Sequence, residues 1–314
     1  MAEKIATRDA YGETLIELGR ELKNLVVLDA DLSKSTKTAG FAKLFPERFF
    51  NMGIAESNLV GTAAGLAAAG KIPFVSTFAV FATGRAYDQI RNSVAYPHLN
   101  VKICATHAGI TVGEDGASHQ ALEDIALMRA LPGMTVIVPA DAPETKQAVR
   151  AATKHQGPVY IRLGRSGVPV ISPPDYQFEV GQVAVLRPGE DVAIFACGIM
   201  VSVALTAAEL LAQKDIRAEV INVSTIKPLN VQQVAAAAAK TKAVVTCEEH
   251  NIIGGLGSAV AEVLGEHCPV PLERVGINDV FGQSGTPADL LAHYGLTAEK
   301  VASAAERAIA RKQL

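Results

Sequence analysis

Short, almost uninterrupted apolar runs recur along this chain, each followed by a longer stretch of helical character, and this alternation most constrains its fold. The spacing predicts strands over residues 25–29, 72–76, 101–106, 134–138 and 159–161, then 191–196, 217–223 and 242–246 in a second unit. Helical patterns lie between them: 7–24 with Thr7 as its cap, 56–69, 80–96, 120–131, a helix from Pro143, and 297–312 at the end. Strands this apolar are buried on both faces, which means a mostly parallel sheet between two helical layers. The expected class is α/β, with two three-layer α/β/α domains. Pro169, Pro173, Pro174 and Pro188 punctuate the segment between the units. The expected division is therefore a first domain over 1–167, a linker over 168–189 and a second domain over 190–314.

At 314 residues and 49% apolar composition, the chain is long enough for two such cores. A formal net charge of -3 gives no basic surface for nucleic acid or an acidic membrane. No run approaches the roughly 20 apolar residues of a membrane span, and the Met-Ala-Glu-Lys start lacks an apolar signal core. A cytoplasmic protein is expected. Cys104, Cys197, Cys247 and Cys268 form no CxxC pair and read as small hydrophobes in a reducing compartment.

The chemistry concentrates in His107-Ala-Gly-Ile-Thr-Val-Gly-Glu-Asp-Gly-Ala-Ser-His119, a glycine-rich loop at the end of a buried strand. Open α/β sheets place ligands at such strand ends. Glu56 begins a helix flanked by Ile54, Ala55, Leu59 and Val60. A charge at a helix N-terminus needs no further reason, but these apolar flanks predict a carboxyl with little access to water. Phe78 and Phe81 stand three apart after a strand. Alone they read as core packing, and beside Glu56 as a stacking floor for a flat heterocycle. Asp31 and Ser35 lie in another strand-end loop, where they cap a turn or face a ligand. Arg8, Arg162 and Arg165 are the cationic candidates, and Arg165 follows the last strand of the first unit, placed to hold a phosphate. Gly254-Gly255-Leu256-Gly257 lacks the spacing of a dinucleotide fingerprint and reads as a tight strand-to-helix connection.

Taken together, Gly-Ile-Ala-Glu56, Ser-Thr-Phe78, Phe81 and Gly-Glu-Asp115-Gly-Ala-Ser-His119 resemble the C-terminal part of transketolases, over nearly the whole chain. The resemblance implies a pyrimidine-binding domain followed by a transketolase C-terminal domain, with thiamine diphosphate as cofactor. It also implies the roles. Glu56 would hydrogen-bond the pyrimidine ring, Phe78 and Phe81 would stack on it, and Asp31 would lie near the cofactor. Glu56 and His107 would be catalytic. His107 would contact substrate hydroxyls and Asp115 a sugar hydroxyl, with Arg8, Ser35, His119 and Arg165 on the sugar phosphate. The family's Gly-Asp-Gly…Asn pattern, which holds Mg²⁺ and the diphosphate, is absent. The chain therefore resembles the C-terminal subunit of a split transketolase. The implied partner is an N-terminal subunit carrying the diphosphate and Mg²⁺ (or Ca²⁺), in a heterotetramer built on a homodimer. Gly61, Ala63, Ala64 and Gly65 would let another chain pack closely.

Two departures bear on substrate. Gly84 stands where many transketolases carry a third aromatic, which predicts a more open stacking cup. Ala-Gly after His107 leans toward relatives that make deoxyxylulose phosphate. The competing enzyme is the β subunit of a 2-oxoacid dehydrogenase, and the competing class is a non-catalytic assembly partner. The Gly-Glu-Asp-Gly-Ala-Ser-His loop favours a sugar site over the former, and Glu56 with its loop polar groups argues against the latter.

Overall fold

The structure, a computed structural model, describes residues 4–313. Its strands are β1 (Lys4–Ala6), β2 (Leu25–Asp29), β3 (Phe49–Asn51), β4 (Ile72–Ser76), β5 (Lys102–Ala105), β6 (Thr135–Ile137) and β7 (Val159–Arg162). They continue as β8 (Gly167–Pro169), β9 (Ala184–Arg187), β10 (Val192–Ala196), β11 (Ala218–Asn222), β12 (Thr225–Lys227), β13 (Val244–Asn251) and β14 (Leu272–Ile277). A seven-stranded sheet runs β12-β6-β7-β5-β4-β2-β3, and a five-stranded sheet runs β14-β13-β10-β11-β9. Within these two sheets all pairs are parallel except those of the edge strands β12 and β9, and β1 and β8 form a separate antiparallel pair. The two-domain, mostly parallel α/β expectation holds.

Side-chain alternation explains the three layers. In β2, Val26 and Leu28 enter one apolar cluster while Leu25 and Val27 enter the cluster on the opposite face. The first cluster continues through Ala193, Phe195 and Ile221, so the two domains share it. Beyond them, Val192, Ile194 and Ala196 face the helices Met200–Ala212 and Ala298–Ala310.

Local differences from the sequence reading have physical causes. Thr7 is the first residue of the helix Thr7–Glu21 rather than its cap, and its hydroxyl accepts the Gly164 N–H at 2.8 Å. The pattern over 80–96 is not one helix. It breaks at Ala86 and resumes through Tyr87–Gln89 into a π-helical turn, Ile90–Ala95. The helix expected over 120–131 covers only Asp124–Ala130, because Gln120 turns inward to donate to the carbonyls of Ile110 and Gln283. The helix expected from Pro143 runs Ala142–Lys154 and is capped by Asp141, which accepts the Glu144 N–H at 3.0 Å. The Gly254–Gly257 turn is a strand-to-helix connection, with the Glu248 carboxylate receiving the Leu256 and Gly257 N–H groups. Cys104, Cys197 and Cys247 are buried, and all four cysteines are free thiols. No helix among the described residues is long and apolar enough to cross a membrane.

Within the segment expected as linker, β8 pairs with β1 and β9 joins the second sheet. Asp141 pins it by accepting the Ile171 and Ser172 N–H groups. The second unit also contributes β12 to the edge of the first sheet.

Candidate active site

The chain leaves β2 to form β3 on one side and returns as β4 on the other, so the crevice at the carboxyl ends of β2 and β4 is the sheet's switch point. Ligand sites of open α/β sheets form there. The loops after β2, β4, β5 and β7 carry Asp31 and Ser35, Phe78 and Phe81, His107, and Arg165.

His107 occupies the left-handed region at φ 58° and is buried. Strain of this kind persists only where surrounding bonds hold it. Arg8 Nη1 lies 3.1 Å from His107 Nε2, and Thr106 Oγ1 lies 2.9 Å from Nδ1. A guanidinium only donates, so Nε2 accepts and Nδ1 carries the proton given to Thr106. Burial, followed by Arg8, Arg165, His119 and Lys37, pushes the His107 pKa down to about 3. At neutral pH the ring is an uncharged acceptor at Nε2.

The aromatic residues form a column. His107 stacks on Phe78 at 3.8 Å between centroids and 22°, and Phe78 lies 5.8 Å from Phe81 at 15°. His119 meets the Phe81 edge at 5.3 Å and 72°. The guanidinium of Arg85 sits 4.2 Å over Phe81, and its Nη1 lies 3.1 Å from Glu56 Oε1. Where Gly84 predicts an open cup, the next residue lays a flat cation over the ring. Glu56 is only 4% exposed, beside the buried Leu59 and Val60, although Ile54 on its other flank is 77% exposed.

The charged residues divide. Arg8 reaches the Ser35 carbonyl as well as His107, and burial lowers its pKa. Its Nε is buried without a partner, as is Thr77 Oγ1. Arg165 donates to the Val112 carbonyl and lies 3.3 Å from Glu114 and 3.6 Å from Asp115, all partly exposed. Ser35 enters through its backbone carbonyl, and Asp31, at φ 63°, accepts from Asn51 Nδ2 at 2.9 Å. Neither the Ser35 hydroxyl nor Asp31 touches the aromatic column among the described contacts. His119 bonds its neighbour Ser118.

Several residues were not legible as site residues. Asp29 accepts from Leu32 N, Thr36 Oγ1 and Thr38 Oγ1, which fixes the loop bearing Asp31 and Ser35. Glu249 of the second domain accepts the Thr111 N–H at 2.7 Å and packs so tightly that a Cβ on Gly109 would meet its carboxyl carbon at 2.2 Å. Arg162, a cationic candidate from the sequence, is not free for phosphate. It is buried on Asp124 Oδ2 at 2.8 Å and on the carbonyls of Ala121 and Glu249. An Asp-to-Thr-to-Thr spacing is a local capping signal, whereas Glu249 and Arg85 carry no local signal.

These features define a two-domain α/β protein with a carboxylate, an aromatic column and a cationic rim at one sheet crevice. Residues 3–170 match the transketolase pyrimidine binding domain, and residues 181–301 match the transketolase C-terminal domain. The chain belongs to the transketolase family. It is 55% identical over 299 residues to a protein of Methanocaldococcus jannaschii named as a transketolase C-terminal section, covering 94% of this chain and 93% of that one. It is 47% identical over 305 residues to a 6-deoxy-6-sulfo-D-fructose transketolase subunit of Clostridium sp. (strain MSTE9), covering 97% and 95%. A solved structure described as a split gene transketolase, inactive beta4 tetramer, superposes with a TM-score of 0.92 at 60% identity, covering 98% of this chain and 99% of that one.

Proposed function

We propose that this chain is the C-terminal subunit of a two-subunit transketolase that moves a two-carbon ketol unit between sugar phosphates with thiamine diphosphate. The observation that carries the reading is the continuous run Glu56–Arg85–Phe81–Phe78–His107–Arg8, which leads from a buried carboxylate along stacked rings to a cation. This donor set fits the cofactor's pyrimidine, since a carboxylate oxygen, near-parallel rings and the unpartnered Thr77 hydroxyl suit a flat ring bearing N–H groups. When bound, thiamine diphosphate supplies the electron sink that lets a carbon–carbon bond beside a carbonyl break and re-form.

In this reading Glu56 accepts a ring N–H, Phe78 and Phe81 stack on the ring, and Asp31 lies at the cofactor's edge. The uncharged His107 accepts a substrate hydroxyl at Nε2 once Arg8 Nη1 gives up that lone pair and turns to the phosphate, rather than taking the hydroxyl's proton outright. Asp115 binds a sugar hydroxyl. Arg8, Ser35, His119 and Arg165 hold the phosphate, with Arg8 Nε as a spare donor. Arg165 exchanges Glu114 and Asp115 for phosphate at small cost, because exposed ion pairs contribute only about 0–1 kcal/mol. Binding energy from the remote phosphate then orients the reacting end. The diphosphate and Mg²⁺ belong to the N-terminal subunit, and the complex is a heterotetramer built on a homodimer. The split relatives support this division.

The test is ketol transfer from xylulose 5-phosphate to ribose 5-phosphate by the mixed subunits with thiamine diphosphate and Mg²⁺. Turnover that falls at least about 100-fold with Glu56→Gln is expected, a loss typical of removing a group that moves a proton. Reductive acylation of a lipoyl domain, or deoxyxylulose phosphate formation, in place of ketol transfer would replace the reading.

A further inference from the structure

Arg85 belongs to no role assigned so far, and it touches two of the residues given to the cofactor. Its Nη1 holds Glu56 Oε1 at 3.1 Å, and its guanidinium carbon stands 4.2 Å over the Phe81 ring. Its own carbonyl accepts the hydroxyl of Ser57, the neighbour of Glu56, at 3.1 Å. Backbone and side chain of Arg85 thus both tie the helix Ala79–Arg85 to the start of the helix Glu56–Ala68.

The asymmetry of the ion pair separates it from an ordinary surface contact. The Arg85 side chain is 54% exposed and that of Glu56 only 4%. A buried carboxylate without a cation is costly, and removing one partner leaves the other charge uncompensated. Glu56 Oε2 accepts no hydrogen bond from any described residue, so the cation holds one oxygen and leaves the other free to accept. A guanidinium does this where an ammonium would not, because its flat face covers the ring while its edge donates to the carboxylate.

We infer that Arg85 is a positioning residue of the cofactor site, orienting Glu56 so that Oε2 alone meets the pyrimidine and closing the aromatic wall over Phe81. The inference rests on the proposed cofactor. It predicts that Arg85 acts through Glu56 on cofactor affinity and turnover, and leaves the KM for sugar phosphate unchanged.

The experiment is calorimetric titration of thiamine diphosphate with Mg²⁺ into the two-subunit complex, with steady-state kinetics alongside. Arg85→Ala is expected to weaken cofactor binding by about tenfold, the scale of a lost cation–π contact with its charged hydrogen bond. Arg85→Lys, which keeps the charge and loses the flat face, is expected to recover part of that loss. In a Glu56→Gln background, Arg85→Ala is expected to add less than about twofold, because coupled residues are not additive. Cofactor binding by Arg85→Ala as tight as wild type, or a full additive loss on top of Glu56→Gln, overturns the inference alone. A wild-type complex that binds no thiamine diphosphate overturns the functional reading with it.

Discussion

The crevice at the ends of β2 and β4 and the seam between the domains are both rich in charge, but the seam's ion pair is buried and the crevice's are partly exposed. At the seam, Asp124 receives Tyr160 Oη at 2.7 Å and Arg162 Nε at 2.8 Å, while Arg162 also donates to two carbonyls. Burial is the largest single influence and pushes the Asp124 carboxyl up, but Arg162, His250 and the Tyr160 hydroxyl together outweigh it, so the net direction is down. Glu249, 4.0 Å from the same guanidinium, is instead raised, because burial exceeds what the more distant charge returns. Each place keeps one buried atom without a partner, Asp124 Oδ1 at the seam and Arg8 Nε at the crevice, but the crevice's Arg165 holds only partly exposed carboxylates. The seam is bonded for permanence, and the crevice keeps bonds it can exchange for a ligand's.

The sharpest way to break this contrast is at Asp124. Asp124→Ala strands a buried guanidinium and is expected to cost about 3–5 kcal/mol, read by chemical denaturation of the chain. A cost below about 1 kcal/mol would remove the distinction between seam and crevice.

Next in size is the acid dependence set by His107. Its folded pKa, about 3, lies below the unfolded value near 6.5. Between those values the unfolded chain binds the extra proton, so stability falls as pH drops from about 6.5 toward 3, with a slope approaching one proton. His107→Asn is expected to flatten that window, and NMR of the substrate-free chain should show no His107 titration between about pH 5 and 8. A midpoint near 6.5 would mean that the ring is charged in the working range and that its acceptor role is wrong.

The smallest effect is at Arg165. Arg165→Ala is expected to change stability by less than about 1 kcal/mol while raising the KM for sugar phosphate. An unchanged KM would remove Arg165 from the phosphate site.

The legibility of the chain follows the same divide. β2 and β4 were readable to the residue because a buried strand declares itself in its own few side chains. The glycine-rich loop after β5 was readable because turn residues and polar groups cluster locally. β12 was not, since three residues from the second unit extend a sheet through a strand ninety positions earlier. Arg162 looked like any strand-end cation until Asp124 and Glu249 closed on it. Arg85 was hidden for a different reason. A break at Ala86, inside what reads as one helix, ends the first helical segment at Arg85, whose side chain lies over Phe81. Local pattern records burial and turns, whereas these residues depend on neighbours distant in sequence or on an irregular helix.

In the proposed reading this chain holds part of an active site that another chain completes. That reading is tested most directly by measuring ketol transfer while the chain is titrated into a fixed amount of its N-terminal subunit, with thiamine diphosphate and Mg²⁺ in excess. No turnover is expected from either subunit alone, and turnover is expected to rise and saturate at equal amounts of the two. Full turnover by this chain without a partner would contradict it.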